Sequence, residues 1–308
     1  MIRRYRVAAS CFEPELTQTI PERRESLAAH LTALLEEQKP DLVVVPEVAL
    51  VPDLDKQISA EPISGLTVKC VAELAKQYGS NICMPIIEID GLNKYNTAVY
   101  LNRQGHVAGK FRKHTPTKGE LELGILPGEN NPEPVVIDGL RIGTAICYDE
   151  NYPDLMWHYF TKGIDLLVFP AYTYGGKLMQ NWALTCGVPL IVAFPWESVI
   201  YDRDGSILAE GGTWTSTIKF GSHPAWIVQN INLQSRIYHL DYNQSKINEL
   251  GKKYGKQIDV KLIVREARFQ ITVVSDDLDI EQLEKEMELL PLQRYITEGR
   301  ALADKLRK

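Results

Sequence analysis

The 308-residue sequence holds no G-x-x-x-x-G-K-S/T, no G-x-G-x-x-G, no H-E-x-x-H and no G-x-S-x-G. Phosphate-loop, dinucleotide-binding, zincin and serine-nucleophile readings therefore lose their main support. Cysteines are few, odd in number and widely spaced: Cys11, Cys70, Cys83, Cys147 and Cys186, with no C-x-x-C. That argues against a disulfide framework and a zinc site, and leaves room for a working thiol. The six histidines have no metal-ligand spacing, and the sequence calls for neither a metal nor an organic cofactor. Apolar runs fall far short of the roughly 20 residues of a spanning helix. The richest, residues 164–169 and 188–194, are bounded by Gly and Pro and read as buried strands. Behind a positively charged start the apolar stretch stops at Glu13, too short for a signal-peptide core, so a cytoplasmic location without membrane contact is expected. With 34 bases against 40 acids and no long Lys/Arg block, the basic footprint of a nucleic-acid binder is missing too.

What is present is ordinary for a globular protein: 44% apolar and 24% charged residues, in a length that permits one large domain or two ordinary ones. Residues 5–12 read as a strand, and Thr19-Ile-Pro-Glu22 offers a capping box ahead of Leu27, Leu31, Leu34 and Leu35 at helical spacing. Residues 41–46 are a continuous apolar run of strand length. A helix from Gly65 to Gly79 places Leu66, Cys70, Leu74 and Tyr78 on one face. Residues 81–89, 95–101 and 106–111 are strands separated by turn signals, so parallel and antiparallel pairing are mixed. A loop rich in Pro, Gly and charge spans residues 114–134, longer than ordinary connections and a candidate site wall. Further on come a hairpin at 135–137 and 140–147, a helix at 153–162, a strand at 164–169, a helix at 180–187 and a strand at 190–194. Beyond Gln229 the character changes: a helix around 233–253, strands at 260–264 and 269–274, and helices either side of Pro291. The division expected is residues 1–229 and a C-terminal extension, 230–308.

Three places put polar residues at the carboxyl ends of apolar strands, where open α/β folds hold their ligands. At Val43-Val-Val-Pro46-Glu47 a carboxylate follows a buried strand and suits a general base; taken alone, the motif reads first as a helix-cap or surface acid. At Lys110, Arg112 and Lys113 three cations close a strand and open the long loop. One ammonium turned inward would stabilise an oxyanion and a thiolate, whereas all three facing out would merely blunt a sheet edge. At Thr144-Ala-Ile-Cys147-Tyr-Asp149 a thiol ends a strand shortly before the helix at Pro153. A helix N-terminus and a nearby ammonium favour thiolate, and the Tyr148 amide is placed to face an oxyanion. A buried, inert cysteine is the plain alternative, and the other four cysteines fit it better. Tyr148, Tyr152, Tyr172, Tyr174, Trp182 and Trp196 lie near strand ends, as pocket wall or as core. His114 is a possible site neighbour.

Together these residues resemble the nitrilase, or carbon–nitrogen hydrolase, superfamily. The resemblance rests on Val-Pro-Glu47, on Arg112-Lys113 followed by Pro116-Thr117 and Glu120, and on Cys147-x-Asp149 with Pro153-Asp154, over roughly residues 5–220. It implies a four-layer αββα sandwich, with Glu47 as general base, Lys113 as oxyanion stabiliser, Cys147 as nucleophile and Glu120 orienting the lysine. Tyr148 and Tyr172 are the expected oxyanion or substrate contacts. The surroundings of Cys147 resemble the amidase and carbamoylase branches, which implies a small amide or carbamoyl substrate and a thioester intermediate. Nitrile hydrolysis or acyl transfer to an amine with the same triad is the alternative. Where many members carry Arg-Ala-x-Glu-Asn, this chain has Trp182-Ala-Leu-Thr185-Cys186, which keeps open a catalytically silent binding protein. The resemblance further implies a homodimer or larger homo-oligomer, with residues 230–308 packing on their own or a neighbouring subunit.

Overall fold

The computed structural model describes residues 4–15, 17–50, 60–212 and 226–307; the charged start at 1–3 lies outside them. The first half builds β1 (Arg4–Ser10), α1 (Ile20–Gln38), β2 (Leu42–Val44), β3 (Ala60–Glu61), α2 (Leu66–Tyr78), β4 (Asn81–Asp90), β5 (Asn93–Leu101) and β6 (Val107–Arg112). The short helix α3 (Lys118–Glu122) lies in the long loop. The second half builds β7 (Val135–Ile137), β8 (Leu140–Thr144), α4 (Pro153–Lys162), β9 (Leu166–Pro170), α5 (Gly176–Cys186), β10 (Leu190–Ala193), β11 (Glu197–Tyr201) and β12 (Ile207–Gly212), and β13 (Trp226–Asn232) follows.

The two halves repeat one plan. In each, a β-α-β-α-β run lays down three parallel strands, β1-β2-β4 or β8-β9-β10, and two antiparallel strands extend it. Parallel neighbours need a crossover, and the capped helices supply it. Thr19 closes the expected box with Glu22 at the start of α1. The far edges match as well: β13 runs antiparallel to β1, and β7 antiparallel to β8.

Strand parity sorts side chains into layers. On β1, Ala8 faces the helices together with Leu27, Leu31, Leu34 and Leu35 of α1, whereas Val7 and Ala9 face the second sheet. Val43 and Ile82 follow Ala8, while Leu42, Val44 and Cys83 follow Val7. Each fully buried leucine contributes about 1.5–3 kcal/mol over an exposed one. Across the midplane the Tyr100 and Thr144 hydroxyls lie 2.7 Å apart, tying one sheet to the other. With α4 and α5 packed beyond the second sheet, the four layers are α, β, β, α.

Two expectations are corrected. On α2 the buried residues are Thr67, Val68, Val71 and Ala75, not the face through Cys70; Leu66 is exposed. Small and β-branched side chains let this helix sit close over the sheet, and the bulkier set flanks the contact. Nor is there one helix across 233–253. β14 (Ser235–His239) pairs antiparallel with β16 (Arg268–Val273), and only α6 (Ile247–Tyr254) is helical at length. With β15 (Ile258–Ile263) and α7 (Ile280–Glu286) these elements enclose a separate core of Tyr238, Leu250, Phe269, Ile271 and Leu283, while α8 (Leu292–Leu306) sets Ile296 against the sandwich core. The sandwich itself continues past Gln229 through β13 to Asn232. The extension lies against its own chain: Arg268 donates to the Leu184 carbonyl (2.5 Å), Gln293 to that of Thr161 (3.2 Å), and Lys261 pairs with Asp204.

Candidate active site

The site lies where β2 of one sheet and β8 and β9 of the other end. Glu47 follows β2, Cys147 follows β8, and Tyr172 follows β9. From the other side, the β5–β6 pair contributes two residues through its register. Lys113 donates its backbone N–H to the Asn96 carbonyl (2.7 Å), so Lys113, one residue past the end of β6, stands opposite Asn96 of β5. Parity explains which cation turns in. Lys110 and Arg112 share a face and are both taken up by Glu88, at 2.6 and 2.9 Å. Lys113, on the face of buried Phe111, points inward and is 1% exposed. The basic cluster is thus an outer edge and an inner ammonium at once.

Inside, the Lys113 ammonium donates to Glu47 Oε1 (2.7 Å) and Glu120 Oε2 (2.8 Å). Both carboxylates are buried, at 3% and 2% exposure. Charges held this far from water require partners, and the rest of the network provides them. Asn96 Nδ2 donates to Glu47 Oε1 and Glu120 Oε1, both at 2.8 Å. The Tyr172 backbone N–H donates to Glu47 Oε2 (3.1 Å). Glu120 is carried by a second capping box: Thr117 N–H donates to its Oε2 (2.7 Å), and its own N–H donates to Thr117 Oγ1 (3.2 Å). Four residues of local sequence therefore aim Glu120 at the lysine.

Burial works against the Lys113 charge, but the negative charges of Glu47 and Glu120 outweigh it and hold its pKa above the ordinary value. Glu120 is held below the usual carboxylate range: burial opposes this, and Lys113 and Asn96 prevail. The Cys147 thiol goes the other way. Burial and the Glu47 charge push it up, against Lys113 and the Tyr172 N–H. The Glu47 charge thus disfavours the thiolate, and the same carboxylate is the group suited to take the thiol proton.

Backbone strain marks the same place. Val48, next to Glu47, has φ 46°, and Cys147 has φ 47°, a region costly for side chains other than glycine and frequent at active sites. Asp149 braces the turn after Cys147 by accepting the N–H groups of Ile146 (3.0 Å), Thr115 (2.8 Å) and His114 (3.2 Å). It thereby ties the nucleophile's turn to the lysine's loop. Burial pushes its carboxyl up to about 7 despite those bonds.

The remaining sequence candidates sort as follows. Tyr148 directly follows Cys147; its ring is exposed and packs edge-on against Tyr152 (5.7 Å). Tyr172 serves the base through its backbone, while its hydroxyl donates to Glu13 (2.8 Å) and its ring leans on Trp196. Trp182 is core, at the buried face of α5, and not pocket wall. His114 reaches the site through its backbone. Asn96 and Asp149 carried no role in the sequence reading. Asn96 is a polar residue at an inward strand position, and Asp149 lies inside the motif around Cys147; those were the available signals. Among the described residues no cluster of His, Cys, Asp and Glu could hold a metal ion, and no helix is long and apolar enough to cross a membrane.

A lysine held between two buried glutamates, beside a strained thiol at the strand ends of an αββα sandwich, defines a nitrilase-type protein. Residues 7–222 match the carbon–nitrogen hydrolase family, and the chain belongs to that family. Among curated proteins, it is 33% identical to β-ureidopropionase of Arabidopsis thaliana over 132 residues, 41% of this chain and 32% of that protein. To nitrilase 3 of the same plant it is 35% identical over 118 residues, 38% of this chain and 34% of that one. The aligned part thus spans about a third of each relative's own length. Nit3 of Saccharomyces cerevisiae, described as a member of branch 10 of the nitrilase superfamily, superposes with a TM-score of 0.63 at 18% identity, covering 82% of this chain and 97% of that one. An amidase from Nesterenkonia sp. gives 0.62 at 18% identity over the same shares.

Proposed function

We propose that the protein hydrolyses the carbon–nitrogen bond of linear amides or N-carbamoyl compounds through a thioester on Cys147, in the cytoplasm and as a homo-oligomer. The observation that carries this reading is the shared ammonium: Lys113, 1% exposed, donates to both Glu47 and Glu120, and the charges of Glu47 and Lys113 both act on Cys147.

Glu47 takes the thiol proton as the sulfur attacks the carbonyl carbon, and negative charge moves onto the carbonyl oxygen. The Lys113 ammonium and the Tyr148 amide stabilise that oxygen, in a pocket where water competes little. Glu47 returns its proton to the nitrogen, the carbon–nitrogen bond breaks, and ammonia or an amine leaves. A water molecule deprotonated by Glu47 then attacks the thioester, releasing the acid and restoring the thiol. Glu120 and Asn96 keep Lys113 and Glu47 in place. In a solved mutant of the Nesterenkonia sp. AN1 amidase the acetamide moiety of fluoroacetamide is added covalently at the active-site cysteine, which supports a nucleophilic thiol in this fold.

The test is intact-protein mass spectrometry of wild type and Cys147→Ala, briefly exposed to small amides, carbamoyl compounds and nitriles, with ammonia release followed in parallel. An acyl-sized adduct on wild type alone, with ammonia, is the expected result. Turnover retained by Cys147→Ala sinks the proposal. Adding an amine acceptor separates hydrolysis from acyl transfer, and light scattering reads the oligomer.

A further inference from the structure

At the opposite end of the second sheet from Cys147, a cavity of about 1090 Å³ opens between the sandwich and the C-terminal extension. Its floor is set by the starts of the strands whose other ends hold the active site: Leu140 opens β8, Asp165 precedes β9 and Val188 precedes β10. Its roof belongs to the extension, with Ile237 of β14, Ile280 and Glu284 of α7, and the 289–294 segment leading into α8. The roof lies beyond residue 222, where the family match ends.

One lining residue does not fit a merely structural seam. Arg203, in the turn between β11 and β12, is 5% exposed, and its side chain faces this cavity. Among the described residues its only ion pair is with its neighbour Asp202, at a loose 3.6 Å. Asp202 is also occupied elsewhere, accepting the Arg203 backbone N–H (2.8 Å) and the Gln270 amide (3.4 Å). A second carboxylate, Asp165, also lines the cavity and acts on Arg203 at longer range without a direct ion pair, and the other cation near it, Arg236, is already neutralised by Glu284 at 2.9 Å. At the rim, Lys285 and Arg294 are set against Glu281 and Glu288, so the mouth has little sign of its own. A buried guanidinium with one loose ion pair and no close carboxylate is short of hydrogen-bond partners, which a bound anion would supply. Around it, Leu140, Ile164, Val188, Leu233 and Leu292 offer an apolar wall, and an apolar wall with a few placed polar groups is what small-molecule sites use.

We propose that this cavity is a second binding site, separate from the catalytic one, for an amphipathic organic anion: a carboxylate or phosphate group on Arg203 and an apolar body against the strand starts. The extension builds the roof, so the added segment makes the site. The inference does not depend on the proposed chemistry at Cys147, because binding is read without turnover.

The test uses the full-length protein with octanoate, phenyl phosphate and neutral 1-octanol, followed by calorimetry and by hydrogen–deuterium exchange. Saturable binding of octanoate or phenyl phosphate at about 1 mM or tighter is expected, with exchange protection over residues 233–237 and 289–294; which of the two binds names the headgroup. Arg203→Gln weakens that binding by about tenfold or more, the loss of one charge-assisted bond. Should that variant not fold, Lys285→Glu at the exposed rim weakens it about twofold or more through added negative charge, and the wild-type exchange map stands alone. The proposal is overturned by no saturable binding of either anion, by octanol binding as tightly, by protection confined to the turns around Lys113 and Cys147, or by unchanged affinity in both variants.

Discussion

Glu47 and Glu120 share their partners. Both accept the Lys113 ammonium, and both accept the same Asn96 amide nitrogen, at distances between 2.7 and 2.8 Å. Two buried carboxylates so close would repel each other, and a single cation with a neutral donor makes the arrangement tenable. Glu47 has one further oxygen free to face the thiol side, where it meets the Tyr172 N–H. Glu120 spends its remaining capacity on Thr117. Two chemically identical groups thereby receive different tasks, one toward the thiol and one toward the lysine.

Glu47→Gln separates reactivity from turnover. Removing the negative charge beside Cys147 takes away one cause of its raised pKa and leaves Lys113, so the thiol becomes more acidic. Alkylation by iodoacetamide near neutral pH should run faster than in wild type, while hydrolysis falls by about 10²–10⁴ with the general base gone. Slower alkylation in the variant would contradict the charge assignment.

Asn96→Ala leaves both carboxylates with one donor fewer in a buried place. The expected cost is about 1–3 kcal/mol of stability by urea unfolding, together with a lower kcat as Lys113 and Glu47 lose their spacing. A variant as stable and as active as wild type would show that the bridge carries no weight.

Gly128 holds the loop onto the lysine's strand: its N–H donates to the Lys113 carbonyl (2.8 Å). A β-carbon at this position would sit 2.3 Å from the Arg112 carbonyl oxygen, so Gly128→Ala must push that backbone away. Overpacking of this kind costs about 1–3 kcal/mol. Turnover should fall with kcat affected more than KM, and circular dichroism should still report the native fold.

Glu88 makes stability depend on acid. Burial opposes its charge, but Arg112, Lys110 and Thr97 outweigh it and bring its pKa down from 4.5 to about 2. A lowered carboxylate contributes in full above the ordinary value and loses that contribution as pH falls from 4.5 through 2. The stability difference between wild type and Glu88→Gln, measured by urea unfolding, should therefore shrink over that interval. A difference that stays constant with pH would falsify the assignment.

Local chemistry was legible wherever a few consecutive residues decide the outcome. Thr19 and Glu22 announce α1, Pro153 starts α4, and glycines end α2 and α4 in left-handed caps, because capping and φ preferences act within one turn. The face of α2 was misread because two sets of residues share its periodicity, and only the sheet beneath selects between them. The segment 233–253 was misread for the same reason: β14 exists by pairing with β16, about thirty residues away, and no local signal reports a distant partner.

The candidate site divides along the same line. Residue type, order and strand-end position pointed to Glu47, Lys113, Glu120 and Cys147, since charges and a thiol just past apolar runs are unusual enough to notice. Asn96 could not be seen as their bridge until the register set it opposite Lys113. The protonation of Cys147 likewise depended on burial and on a glutamate one hundred positions earlier. By itself the sequence determined the capped helices, most of the buried strands and the chemical groups supplied. Tertiary structure decided which of three cations turns inward, which carboxylates share it, and where the charge rests, because hydrogen bonds and desolvation follow distance in space and not separation along the chain.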